Sequence, residues 1–179
     1  LCIFLAWGNA TYASKITEFY QIETVSPPSL LIERYGKGGT QTDGLDFMPD
    51  GRLVACFVGG EVFTLNTKTG KWKLFADGLH TPLGVVALND REVMGSQRPE
   101  LTLLKDIDGD GDADEYSAFS DDFGISGNYH EFHFGPVRDK AGNFYVSFGT
   151  ASSGADVRFQ KRGTFDKRSY LQRMYASVP

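Results

Sequence analysis

The stretch DGLDFMPDGRLVACFVGGEVFTLNTKTGKWKLFADG, residues 43–78, decides the fold class. Within it, short runs rich in β-branched and aromatic residues (LVACFV, EVFTLN and KWKLFA) alternate with turn residues. MPDG at 48–51 has Pro and Gly where a tight turn favours them, and GG and TKTG separate the later runs. Helical periodicity is nearly absent, so the pattern predicts a four-stranded antiparallel meander.

The same pattern recurs twice further along the chain. GLHTPLGVVALNDREVMGSQ and HEFHFGPVRDKAGNFYVSFGT each contain an apolar run, a polar turn and a second apolar run. The turns at 50–51, 89–90 and 141–142 lie about 40 and 50 residues apart, which is the period of a propeller blade. We therefore expect an all-β chain that forms a β-propeller, six- or seven-bladed when complete, with about three to four blades in this chain. A β-sandwich with coincidental turn spacing is the alternative.

Composition limits the classes of partner. The chain has 179 residues, of which 41% are hydrophobic, and a formal net charge of −5. These values are ordinary for one globular domain. The largest basic cluster is FQKRGTFDKR near the end of the chain, so the sequence predicts no nucleic-acid partner.

The beginning of the chain resembles an export signal. Residues 1–13 are apolar and uncharged, and ATYA before Ser14 offers the small residues that a signal peptidase accepts. We predict a clipped signal peptide at 1–13, the N-terminal part of a β-propeller domain at 14–179, no transmembrane span, and a secreted or periplasmic protein. A buried first strand is the alternative for 1–13. The run RMYASVP supplies no closing strand, so we expect a piece of a longer protein.

Cysteine usage agrees with export. Cys2 would leave with the signal peptide, and Cys56 lies inside the apolar run LVACFV, where we expect it to be a buried small hydrophobic residue. The sequence contains neither a disulfide framework nor the CxxC and CxxCH patterns of zinc and haem attachment sites.

The stretch KDIDGDGDADEY at 105–116 predicts a metal site. Its alternating carboxylates fit D-x-D-x-D-G-x-x-D, and a hard cation such as calcium takes six to eight oxygen ligands from a flexible, glycine-turned loop. Position twelve of an EF-hand loop would be Ser117 rather than Glu, so we predict a calcium loop that is not an EF-hand. A solvated acidic loop without an ion and another metal are the alternatives. The predicted ligands are Asp106, Asp108, Asp110, Asp112 and Asp114.

Two further groups could carry chemistry. In GNYHEFHFGP, His130 and His133 are three apart and diverge on an extended strand, which disfavours a metal pair and leaves one histidine free to face a central channel as a base. A satisfied structural histidine is the alternative for each.

Gln97 and Arg98 end another apolar run. Arg98 could hold an anionic substrate or a quinone carboxylate, or could neutralise the acidic loop, which is the use we favour.

Taken together, DGLDFMPDGRLVACFVGGEVFTLN, SQRPELTLLKDIDGDGDADEY and HEFHFGPVRDKAGNFYVSFG resemble the opening blades of propeller proteins related to glucose/sorbosone dehydrogenases. The similarity covers roughly residues 26–150 and is greatest to the secreted branch of membrane-bound dehydrogenases, often found with a cytochrome c domain. It implies an exported protein that oxidises an aldose or similar polyol, passing hydride to pyrroloquinoline quinone. His130 would be the catalytic base, and Gln97 and Arg98 would contact the cofactor. The chain departs from the family pattern in the short interval from His130 to Gly135 and in the second histidine.

Two other functions suit a propeller with an acidic loop. One is a calcium-dependent lactonase, in which a metal at the channel centre activates water. The other is a non-catalytic propeller that binds glycans or partner proteins.

Overall fold

The structure is a computed structural model that describes residues 20–123, 132–149 and 170–174. The predicted signal peptide and the predicted base His130 lie outside the described residues. In the described part of the chain, no helix is long and apolar enough to cross a membrane.

The first sheet is the predicted four-stranded meander. Its antiparallel strands lie in the order β1 (Thr42–Phe47), β2 (Leu53–Phe57), β3 (Val62–Asn66) and β4 (Lys71–Ala76). All five residues of β2 are buried because both faces of the sheet are covered. Cys56 is 0% exposed, which confirms its prediction as a core residue.

The second sheet repeats this order. It contains β5 (Gly84–Ala87), β6 (Glu92–Gln97), β7 (Glu100–Lys105) and β8 (Glu115–Ser120), again antiparallel and in chain order. The prediction of an all-β chain is confirmed at this level.

The third sheet has three described strands. They are β9 (His133–Arg138), β10 (Phe144–Phe148) and β11 (Tyr170–Met174), with β10 between the other two.

One hydrogen bond recurs in the first turn of each of the three sheets, where an amide donates to the carbonyl four residues later, which confirms the aligned turns. The three bonds run from Met48 to Arg52 (2.8 Å), Leu88 to Glu92 (2.8 Å) and Asp139 to Asn143 (3.0 Å).

The first strands of the three sheets pack against one another, β1 on β5 and β5 on β9. A glycine occupies each crossing. A Cβ on Gly44 would lie 2.5 Å from the Cα of Gly84, and a Cβ on Gly84 would collide with the carbonyl oxygen of Gly135. Only glycine allows backbones to approach so closely. These glycines share the spacing of the repeated turns, which ties the sequence period to the packing of the sheets.

Apolar side chains fill the two spaces between neighbouring sheets. Val54, Cys56 and Phe75 of the first sheet meet Val85 and Leu104 of the second in one buried cluster. A separate cluster joins the second and third sheets and contains Met94, Leu101, Phe123, Phe144, Val146 and Phe148. Each sheet is therefore buried by its neighbours in chain order.

One short helix, α1 (Ser29–Tyr35), covers the remaining face of the first sheet. Its Leu31 is buried against Ala55, Phe57 and Phe63. This helix could not be predicted from the sequence, because seven residues are too few to show helical periodicity. A buried carboxylate also anchors it: Arg34 Nη1 lies 2.8 Å from Glu61 Oε1, and the Tyr35 hydroxyl donates to the same oxygen at 2.7 Å.

Candidate metal centre and the opposite end of the second sheet

The acidic loop is an insertion at the end of the β7–β8 hairpin. From Thr102 onward the two strands stay in register up to the pair Lys105 and Glu115, and residues 106–114 form the loop beyond it. The hairpin lies away from the first strand of its sheet, because two strand spacings, about 10 Å, separate β7 from β5.

Three of the five predicted ligands come together in this loop. Carboxylate oxygens of Asp106, Asp108 and Asp114 lie within 4.8 Å of one another. Calcium binds oxygen at 2.3–2.6 Å, so ligands on opposite sides of one ion lie about 5 Å apart, and one ion can reach all three. The carboxylates of Asp110 and Asp112 lie outside this group. The all-oxygen donor set suits calcium rather than zinc, which favours nitrogen and sulfur.

Backbone amides hold the gathered carboxylates in place. Gly109 and Gly111 donate to the two oxygens of the buried Asp106 at 2.6 and 3.0 Å, and Ile107 donates to Asp114 Oδ2 at 2.7 Å. Both glycines have left-handed φ angles, 84° and 91°, which bend the loop around Asp106. Each carboxylate oxygen has two lone pairs, so it can accept an amide hydrogen and still face a cation.

Two positively charged side chains contact the loop. Lys73, from β4 of the first sheet, contacts the carbonyl oxygen of Asp110 and lies 3.2 Å from Asp112 Oδ1. Arg91 Nη1 donates to the carbonyl oxygen of Ile107 at 3.1 Å. The loop is therefore held both by the first sheet, through Lys73, and by the second sheet, through Arg91.

The hypothesis that Arg98 neutralises the acidic loop is wrong. Arg98 precedes β7 and the loop follows it, so the six residues of that strand, about 17 Å, separate the two. Lys73 and Arg91 supply the positive charge instead. Sequence proximity misled here because a strand carries neighbouring residues to opposite ends of a sheet.

Gln97 and Arg98 form a junction at the other end of the sheet. Gln97 Oε1 accepts from the amide of His80 at 2.6 Å, and Gln97 Nε2 donates to Thr102 Oγ1 at 2.6 Å. The amide of Arg98 donates to the carbonyl of His80 at 3.0 Å. The carbonyl oxygen of Gln97 lies 3.1 Å from His133 Nδ1. The junction therefore joins the segment before β5 to both β6 and β9.

The two described histidines differ in their surroundings. His133 is buried, with its ring 4.3 Å from that of Phe123 and 4.4 Å from that of Phe148, as expected of a structural histidine. The side chain of His80 is exposed, and desolvation together with the charge of Arg98 lowers its pKa. Sequence reasoning missed His80, because GLHTPLG reads only as a turn before a strand and its contacts are with another hairpin.

An all-β chain of consecutive antiparallel meanders, with an acidic loop at one end and a Gln-Arg-His junction at the other, is the class that the described residues define. A family model described as a domain of unknown function, DUF7133, matches residues 66–176, and the chain belongs to that family. The match covers more than half of the chain and includes the acidic loop, the junction from Gln97 onward and His130. A search of curated proteins found no match.

Proposed function

We propose that the chain is part of a calcium-binding β-propeller in which the three sheets are successive blades. Three features support this. Each sheet is built from consecutive strands, each sheet packs on the next in chain order, and the first strands lie together at glycines. A β-sandwich would bury two sheets face to face and would not bring three first strands together.

The gathering of Asp106, Asp108 and Asp114 within 4.8 Å carries the calcium proposal. Without a cation these carboxylates repel one another. A bound ion would remove that repulsion and hold the end of the β7–β8 hairpin together, so we expect it to stabilise the folded protein. The position of the loop, away from β5, argues against a lactonase, which needs its metal at the channel centre.

Thermal unfolding in chelator and in calcium tests this role. Calcium at 100 times its dissociation constant should stabilise the wild type by about 2.7 kcal/mol. Asp108→Asn should lose this response. Asp122→Asn, which removes the same charge outside the loop, should keep it. An equal melting temperature of the wild type in chelator and in calcium would contradict the proposal.

We further propose that the complete protein is exported and oxidises an aldose or similar polyol. The support is the resemblance to quinone-dependent sugar dehydrogenases, with His130 as general base. Pyrroloquinoline quinone would supply the hydride acceptor. Gln97 and Arg98 are the residues that the resemblance expects to contact it. The side-chain amide of Gln97 already bonds His80 and Thr102.

Dye-linked oxidation of aldoses by the full-length protein, supplied with the quinone and calcium, tests the activity. His130→Asn should lower the rate by about two to four orders of magnitude while quinone binding persists. If no aldose is oxidised in a quinone-dependent way, or if His130→Asn is as active as the wild type, a glycan- or protein-binding propeller replaces the enzyme. A cytochrome c domain in the complete protein would supply the next electron acceptor.

A further inference from the structure

The backbone around His80 is held firmly. His80 lies in the connection between β4 and β5, where its amide donates to Gln97 Oε1 at 2.6 Å and its carbonyl accepts from the amide of Arg98 at 3.0 Å. The next residue, Thr81, has a φ of 50°, and it is the one non-glycine residue with a positive φ among those that the structure describes. A β-branched residue adopts this conformation only when its surroundings impose it.

The side chain of His80 is nevertheless exposed. A fixed backbone with an exposed imidazole differs from the situation of His133, whose ring is packed between two phenylalanines. The connection that carries His80 leads into Gly84, where the first strands of the three sheets approach most closely. His80 therefore stands at the end of the sheets where the innermost strand β5 begins.

The chemistry of the imidazole at this place suits a ligand that donates a hydrogen bond. Desolvation and the nearby charge of Arg98 lower the pKa of His80 and so favour the neutral ring, which has one nitrogen that can accept a hydrogen bond. Hydroxyl groups donate to such a nitrogen.

We propose that His80 is a ligand-contacting residue whose imidazole accepts a hydrogen bond from a hydroxyl group of a sugar or similar polyol. Gln97 and Arg98 act through it as positioning residues, because they hold its backbone. The identity of the ligand rests on the proposed dehydrogenase function, whereas the placement of His80 rests on the contacts above.

Nitrogen-15 NMR of histidine-labelled full-length protein tests the contact directly, with D-glucose and D-xylose as probes. The ring signals of His80, assigned by their loss in His80→Phe, should shift saturably while those of His133 stay unchanged. His80→Phe should weaken binding about tenfold, the effect of one hydrogen bond. Thr69→Ala, in the turn at the other end of the first sheet, should bind as the wild type does. His80→Asn serves if the Phe variant unfolds.

Kinetics separate this inference from the dehydrogenase proposal. His80→Asn should raise KM with little change in kcat, whereas His130→Asn should lower kcat. If sugar shifts the NMR signals of His80 but is not oxidised, the proposed contact stands and the dehydrogenase proposal fails. Oxidation of sugar with no shift of His80 and an unchanged KM in His80→Asn would overturn the contact and retain the dehydrogenase. A folded protein that shows neither would overturn both.

Discussion

Gly84→Ala should be among the most destabilising single-methyl additions in the chain. The new Cβ would collide with the carbonyl oxygen of Gly135 in the next sheet, and real Cβ atoms essentially never approach another heavy atom within 3.0 Å. Overpacking costs about 1–3 kcal/mol when side chains can yield. Here the neighbour is backbone, and β5 is held between β1 and β9, so we expect a loss of about 3 kcal/mol or more.

Urea unfolding at equilibrium measures this loss against two controls. Gly38 has nothing within 4 Å of its would-be Cβ, so Gly38→Ala should change stability by less than about 0.5 kcal/mol. Gly51 also has open space but a φ of 88°, so Gly51→Ala should cost about 1–2 kcal/mol from backbone strain alone. A loss for Gly84→Ala no larger than that for Gly51→Ala would refute the close packing of the first strands.

Three other variants or reactions probe separate parts of the account. Leu31→Ala should destabilise by about 2–5 kcal/mol, because a buried leucine is removed from the contact of α1 with the sheet; a negligible loss in urea unfolding would mean that the helix is not docked. Hydrogen bonds from Asn143 and its neighbours lower the pKa of Asp139 to about 2. The stability that Asp139 contributes is therefore full above its ordinary pKa of about 3.9 and is lost as pH falls towards 2. In acid unfolding, the difference in free energy of unfolding between the wild type and Asp139→Asn should become smaller over that range. Burial raises the pKa of Cys56 to about 12, so a thiol reagent at pH 8 should label native protein no faster than the protein opens, and rapid labelling would contradict its place in the core.

Local sequence signals predicted the strands well because the turn residues that end them are local. Met48–Gly51 and the later turns mark the ends of β1 to β4, and the apolar runs between them have strand length. The close approach of Gly44, Gly84 and Gly135 could not be predicted in this way. Nothing in the strand that contains each glycine requires a glycine there. The requirement comes from the backbone of the neighbouring sheet, which leaves no room for a Cβ.

The candidate metal centre was predictable in part for the same reason. The spacing of the aspartates and the two glycines is a property of one loop, and it indicated a cation site from sequence alone. Which carboxylates gather was not predictable, because Lys73 of another sheet engages Asp112. The placement of His80 beside Gln97 likewise depends on a contact between separate hairpins.

Calorimetric titration of the chelator-treated protein with calcium tests the central claim most directly. The account predicts binding of one ion per chain by the wild type. Binding should be abolished or greatly weakened in Asp106→Asn, whose side chain is the buried member of the group, and preserved in Asp122→Asn. Absence of calcium binding by a folded wild type, or equal binding by Asp106→Asn, would contradict the assignment of the loop as a calcium site.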